Sequence, residues 1–176
     1  MQGFGWNLEE LEKQNKLSFV DFSPIVYFSP KEFAKTAFGG KMPEFTIESA
    51  ADVIKNVVQT SKAKRIVIDS ISPLIFQESD PMNKRRNVSH LFRTLIETGC
   101  TSIVTSEIRA SVLEREFQFE EYLAQGVVVM QMVPRSGEMA RIIHIEKMRG
   151  VPHDSQPRPY RITEKGIEIF PKERAL

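Results

Sequence analysis

The chain has 176 residues, of which 41% are hydrophobic and 27% charged, proportions that suit one soluble globular domain with a core of its own. Its formal net charge of +1 provides no global basic field to draw nucleic acid. One cysteine excludes an internal disulfide, and three histidines are too few and too scattered for a structural zinc site.

In chain order, the first signal is "GWNLEELEKQNKL". Asn7 suits a helix cap, Glu9 and Glu10 suit the positive end, and Leu8 and Leu11 lie three apart. "LSFVDF" is short, apolar and β-prone, so a strand is expected at 17–22. "SPIVYFSPKEFAKTAFGGKMPEF" reads as a loop carrying a short helix from about Pro30, ended by Gly39 and Gly40. Thr46 is placed to cap a longer helix at 47–61, with Ile47, Ala50, Ala51, Ile54, Val57 and Val58 along one face.

"RIVIDS" follows, a continuous apolar run that ends on Asp69. Such a run predicts a strand covered on both faces. Val88, Leu91, Phe92, Leu95 and Ile96 have amphipathic-helix spacing, giving a helix at 84–98 that opens on Lys84, Arg85 and Arg86 and ends at Gly99. Cations are unfavourable at a helix start, and a solvated first turn is the plain reading of this run. Cys100, between helix end and strand, reads as an inert thiol. "CTSIVTSE" (100–107) is a second buried-type strand.

Helix, strand, helix, strand in succession predicts a parallel α/β sheet, whose ligands bind at the carboxyl ends of the strands. Asp69, Ser70, Thr105, Ser106 and Glu107 fall at such ends. From 126 the texture becomes "GVVVMQMV", "ARIIHIEKM", "RPYRIT" and "KGIEIF", strands joined by short turns, with "RSGE" as a hairpin turn. No helix is expected near them, so the chain reads as one domain: an α/β core at 1–125 and a β-rich extension at 126–171. There is no apolar run of about 18 residues and no basic-then-apolar leader, so the chain is expected in the cytoplasm with no membrane span.

Five stretches, "FGWNLEELEKQNKLSFVD", "RIVIDSIS", "TSIVTSE", "YLAQGVVVM" and "IEKMRGVPHDSQPRPYRITEKGIEIFP", in this order and spacing, resemble the KaiC-like branch of the RecA superfamily of ATPases. The last is the most specific, because an arbitrary α/β domain has no reason to contain K-M-R-G, then a histidine, then "ITEKGIEIFP". The resemblance covers nearly the whole chain, with 23–45 matching poorly. It implies a RecA-like three-layer sandwich, largely parallel, with an antiparallel C-terminal extension.

One departure bears on function. Family members begin with a strand, a glycine-rich loop ending in Gly-Lys-Thr or Gly-Lys-Ser, a helix, and a strand ending in an acidic pair. Only then comes the segment resembling "FGWNLEELEKQNKL", which here stands at the start of the 176 residues. A partial domain missing the first two core strands is therefore expected. The phosphate loop cradles phosphates with backbone N–H groups, and "AFGGK" (37–41), the nearest glycine-lysine cluster, ends a helix in this reading instead of opening one.

By resemblance, Asp69 is the Walker B aspartate, which holds Mg²⁺ through water; read from the residues alone, it caps the next turn through Ser70 or Ser72. Thr105, Ser106 and Glu107 match the sensing strand beside it; read alone, they are a hydrogen-bonded strand end. Ser70, Ser106, Glu107 and His153 would lie near the nucleotide. Lys147 and Arg149 match the pair that crosses a subunit interface to the γ-phosphate held by the neighbour; read alone, they are solvated charges on an edge hairpin.

ATP and Mg²⁺ are the implied cofactors. Without a phosphate loop, however, one carboxylate is a poor Mg²⁺ site, and this chain alone is expected to bind neither. Two functions follow: the C-terminal part of an ATPase that assembles into nucleotide-bridged rings, or an interaction module that docks on a full-length KaiC-like relative. The partner is then a second copy or that relative; nothing here supports nucleic acid, and no membrane is involved. In the family the phosphate-loop strand lies beside the strand matching 101–105. With it absent, either 101–105 pairs with 127–133 or another chain fills the gap.

Overall fold

The computed structural model describes residues 5–21, 47–108, 117–135 and 137–175. In chain order the elements are α1 (Leu8–Lys13), α2 (Ile47–Ser61), β1 (Arg65–Ile68), α3 (Ser72–Gln77), α4 (Pro81–Glu97), β2 (Thr101–Val104), α5 (Phe119–Leu123), β3 (Gly126–Arg135), β4 (Glu138–Met148), β5 (Arg158–Thr163) and β6 (Gly166–Ile169). They divide between two compact units, Gln14–Arg109 and Met1–Lys13 with Ala110–Leu176.

In the first unit α2 has the bounds its periodicity predicts, and it buries Ile47, Ala50 and Ala51. Against it packs α4, through Val88, Leu91 and Leu95. This helix begins at Pro81, three residues before the expected start at 84. Asp80 accepts a hydrogen bond from the Asn83 N–H at 2.7 Å, and Pro81, which has no N–H to satisfy, follows the cap. Lys84 is therefore inside the helix, its ammonium 5.9 Å from the centre of the Phe76 ring. Gly99, at φ +69°, ends the helix in the left-handed conformation that glycine adopts at least cost. The short helix α3 was not foreseen.

β1 and β2 pair in parallel, from Arg65↔Thr101 to Ile68↔Val104. Ile66, Ile68, Ser102 and Val104 lie on the sheltered face. Val67 and Ile103, partners in the register, are 67% and 60% exposed. This corrects the expectation of cover on both faces: the run is apolar throughout, but among the described residues only one side of it is sheltered. A second correction concerns the sheet. Among the described residues β2 pairs with β1 alone, and the antiparallel strands form a separate sheet in the order β3-β4-β5-β6, so 101–105 does not close onto 127–133. A third concerns the strand expected at 17–22. Residues 17–21 are not a strand, since β-propensity without a neighbouring ladder does not satisfy the backbone; Phe22, the helix expected from Pro30, and Thr46 lie outside the described residues.

In the second unit, Asn7 caps α1 as expected, its side-chain oxygen accepting from the Glu10 N–H at 3.3 Å. The β3–β4 hairpin runs from Gly126↔Met148 to Arg135↔Glu138. The hairpin closes on the Arg135↔Glu138 pair, where the sequence predicts its turn, with Gly137 at φ +86°. Along β3 burial alternates: Val129 is buried, and Val128, Met130 and Met132 face outward. Ile142 on β4 joins Val129 in the core, and Ala175 is buried where the tail returns to β5, its N–H donating to the Pro157 carbonyl at 3.3 Å. The register slips between Val127 and Val128, which face Lys147 and Ile145, so Glu146 is the extra residue of a bulge. Directly before this sheet stands α5, which corrects the expectation that the last helix lies far upstream. Among the described residues, no helix is long and apolar enough to cross a membrane.

Candidate functional site

The first candidate cluster is the carboxyl end of the parallel pair. The Thr105 hydroxyl donates to Asp69 Oδ1 at 2.6 Å, and the Thr105 N–H to the Ile68 carbonyl at 2.9 Å. Past the strands, the Ile71 N–H donates to the Thr105 carbonyl at 3.0 Å, and the Glu107 N–H to the buried Ser72 hydroxyl at 3.0 Å. These bonds hold the two strand tips side by side. Asp69, Ser106 and Glu107 face solvent and Ser70 is half-buried; the Asp69–Ser70 peptide is cis.

Asp69 does not cap the following turn. Ile71 is the N-cap of α3, with no side-chain cap, and the aspartate reaches sideways to the neighbouring strand instead. The structure thus places Asp69, Ser70, Thr105, Ser106 and Glu107 together at one end of one sheet.

These residues do not fit a resident Mg²⁺. The ion takes near-octahedral oxygen coordination, and among the described residues no group of three or more His, Cys, Asp or Glu side chains is placed to hold a metal. Asp69 offers one carboxylate, already engaged by a hydroxyl.

The second candidate cluster is at the end of β4, in the other compact unit. The Lys147 ammonium donates to the Glu121 carbonyl at 2.5 Å, and the Arg149 guanidinium to the Tyr122 carbonyl at 2.8 Å. Both acceptors are in the last turn of α5, where carbonyls lack helical partners and carry the negative end of the peptide dipoles. The Arg149 N–H also donates to the Gln125 carbonyl at 2.8 Å. Burial pushes the Lys147 ammonium below the usual lysine range, the Arg149 cation adds to this, and the Glu121 carboxylate opposes it. Arg149 and His153 are exposed, and His153 Nδ1 lies 3.0 Å from the Val151 carbonyl.

The helix that holds these two cations was missed in the sequence. Its signal is "QFEEYL": the Gln118 side chain meets the backbone at the third helical residue, and the Glu121 side chain accepts from the Gln118 N–H at 3.1 Å, a capping box. Five helical residues are too few for the periodicity that revealed the longer helices.

A family model described as "ATPase: KaiC" matches residues 1–174. A UPF0273 protein of Thermotoga maritima is 32% identical over 98% of this chain and 69% of its own length. Another, from Aeropyrum pernix, is 34% identical over 97% of the chain and 67% of its own length. The circadian clock oscillator protein KaiC of Synechococcus elongatus is 30% identical over 97% of the chain, which is 31% of that larger protein. Among solved structures, that of a KaiC-like protein from Pyrococcus horikoshii superposes with a TM-score of 0.74 at 29% identity, covering 97% of this chain and 68% of the other.

Proposed function

Since the chain belongs to the KaiC family of ATPases and has a RecA-like α/β fold, we propose that these residues supply the trans-acting side of an ATP-hydrolysing site while the phosphate loop comes from another polypeptide segment. No G-x-x-x-x-G-K-[ST] run occurs in the 176 residues. In this reading the chain alone neither holds nor hydrolyses ATP.

The observation that carries the proposal is the pairing of Lys147 and Arg149 on adjacent carbonyls of α5. Two long, flexible cations are held in place before any ligand arrives, which lowers the ordering cost of presenting them. A pre-placed guanidinium and ammonium stabilise the charge that develops on the equatorial oxygens as the γ-phosphoryl group leaves. In this reading the exposed His153, four residues after Arg149 in the chain, contacts the same nucleotide. At the other cluster, Asp69 and Thr105 offer a hydrogen-bonded carboxylate at a strand tip, with Ser70, Ser106 and Glu107 around it.

The partner is a second copy of this chain joined to a phosphate-loop segment, or a full-length KaiC-like relative. The open Val67/Ile103 face and, among the described residues, the single pairing of β2 favour docking of a further segment here.

Calorimetry of the isolated chain with Mg-ATP is expected to show no binding, whereas tight binding by a monomer would sink the proposal. A KaiC-family ATPase stripped of its own trans-acting cations provides the positive arm. Adding this chain restores its turnover, and Arg149→Ala removes that rescue by roughly 10³-fold or more. Rescue that survives Arg149→Ala and Lys147→Ala would assign the effect to other residues.

A further inference from the structure

The β3–β4 hairpin changes its side-chain pattern at one point, and the two trans-acting cations stand just past it. Directly opposed residues of an antiparallel pair share a face, and successive residues of a strand alternate between faces. From Arg135↔Glu138 to Val128↔Ile145 the pairing is regular. On that count Val128 and Ile145 share the open face with Met130 and Met132, while Val129 and His144 share the other with the buried Ile142.

Strict alternation would return Lys147, two residues past Ile145, to the open face. The bulge at Glu146 prevents this. Past it Lys147 pairs with Val127, which alternates with Val128 and so lies on the face of His144. One extra residue thus carries Lys147 from one side of the sheet to the other. Arg149, two residues on, emerges on the same side, and its N–H continues the ladder to the Gln125 carbonyl. On that side the two cations reach the Glu121 and Tyr122 carbonyls of α5.

A regular ladder, with Val127 opposite Glu146, would satisfy the backbone as well as the bulge does. The bulge therefore needs a side-chain reason, and His144 provides one. Its Nε2 lies 3.1 Å from Glu146 Oε2. A carboxylate only accepts, so the ring donates through Nε2. The Nδ1 of the same ring is buried without a hydrogen-bond partner. Among the described residues, the bond to Glu146 is then the ring's one polar anchor.

We propose that Glu146 is a positioning residue for the trans-acting pair: held by His144 in the bulge, it selects the face of the hairpin on which Lys147 and Arg149 emerge. The consequence for hydrolysis rests on the trans-acting reading above, and the choice of face does not.

The two are read separately. NMR titration of the Lys147 ammonium in the full chain reports its face, because burial holds it below the ordinary lysine value near 10.5. Deleting Glu146 leaves a regular ladder and turns Lys147 to the open face, so its midpoint is expected to return to the ordinary value. In the rescue of a KaiC-family ATPase lacking its own trans-acting cations, the deletion loses roughly 10³-fold or more, as Arg149→Ala does. His144→Leu removes the pin and touches neither cation. Its Lys147 midpoint rises towards the ordinary value, and rescue falls roughly 10²-fold. Glu146→Gln keeps an acceptor for the His144 N–H, so it retains the lowered midpoint and the rescue. A residue that served stability alone would lower the urea midpoint and leave the Lys147 titration of the folded chain where it is.

Two results would overturn the proposal: a folded chain without Glu146 whose Lys147 still titrates below the ordinary value, or a His144→Leu chain whose Lys147 titrates as in the original. If the deleted chain does not fold, His144→Leu against Glu146→Gln decides on the same readouts. Should Lys147 move as expected while rescue persists, the trans-acting reading fails and the choice of face by Glu146 stands.

Discussion

The two sheets handle an apolar strand differently. In the antiparallel sheet burial alternates, with Val129 and Ile142 inward and Val128, Met130 and Met132 outward, and a sheet of that kind tolerates one wet face. In the parallel pair Val67 and Ile103 are as apolar as the residues beneath them, yet they face solvent. Parallel sheets occur almost only with both faces covered. The same degree of exposure thus has two meanings. On β3 it belongs to the architecture, and on β1 and β2 it marks a surface whose cover comes from beyond these strands.

The comparison is first sharpened inside each core. Leu91 on α4 is fully buried, and Leu91→Ala is expected to cost about 3 kcal/mol, read from the midpoint of urea unfolding. A loss below about 1 kcal/mol would mean that the helical layer repacks freely and has no defined core. A valine pair then separates the two meanings of exposure. Val129→Ala should cost about 2 kcal/mol because the side chain is buried. Val67→Ala should cost less than about 0.5 kcal/mol in the isolated chain, because its side chain is already wet. When a covering segment is bound, the cost at Val67 should rise towards that at Val129. Equal costs in the isolated chain would break the distinction between the sheets.

How far the sequence spoke follows the same physics. Long periodic segments were legible: α2 with its bounds, most of α4, both parallel strands and the β3–β4 turn. What escaped has no long period. The short helix α5 is announced only by Gln118 and Glu121, and the start of α4 only by Asp80 and Pro81. Residues 17–21 of the expected strand had the right composition and, among the described residues, no ladder to join. For the candidate site, strand-end positions could be read from the pattern, which is why Asp69 and Thr105 stand together as spacing suggested. The carbonyls that hold Lys147 and Arg149 could not be read, because a backbone acceptor leaves no trace in residue identity.

The smallest expected effect tests whether the loop after β4 is set by charge. The Arg158 side chain hydrogen-bonds the exposed Asp154 carboxylate, and the Gln156 N–H donates to its other oxygen at 2.9 Å. Chiefly the Arg158 bond, then the Gln156 bond, holds the Asp154 carboxyl below its ordinary value near 3.8. The folded state therefore takes up this proton less readily than the unfolded one. The resulting stability is complete above the unfolded value and is lost as pH falls through the lowered folded value. Being solvent-exposed, the pair is screened by salt and contributes little at physiological ionic strength. A side-chain carboxyl titration by NMR should place the Asp154 midpoint below that of a free aspartate. Raising the salt, or substituting Arg158→Gln, should move it back up. A midpoint at or above the free value would mean that the turn from Val151 to Arg158 is held by its backbone bonds alone, and Asp154→Asn would then leave acid stability unchanged.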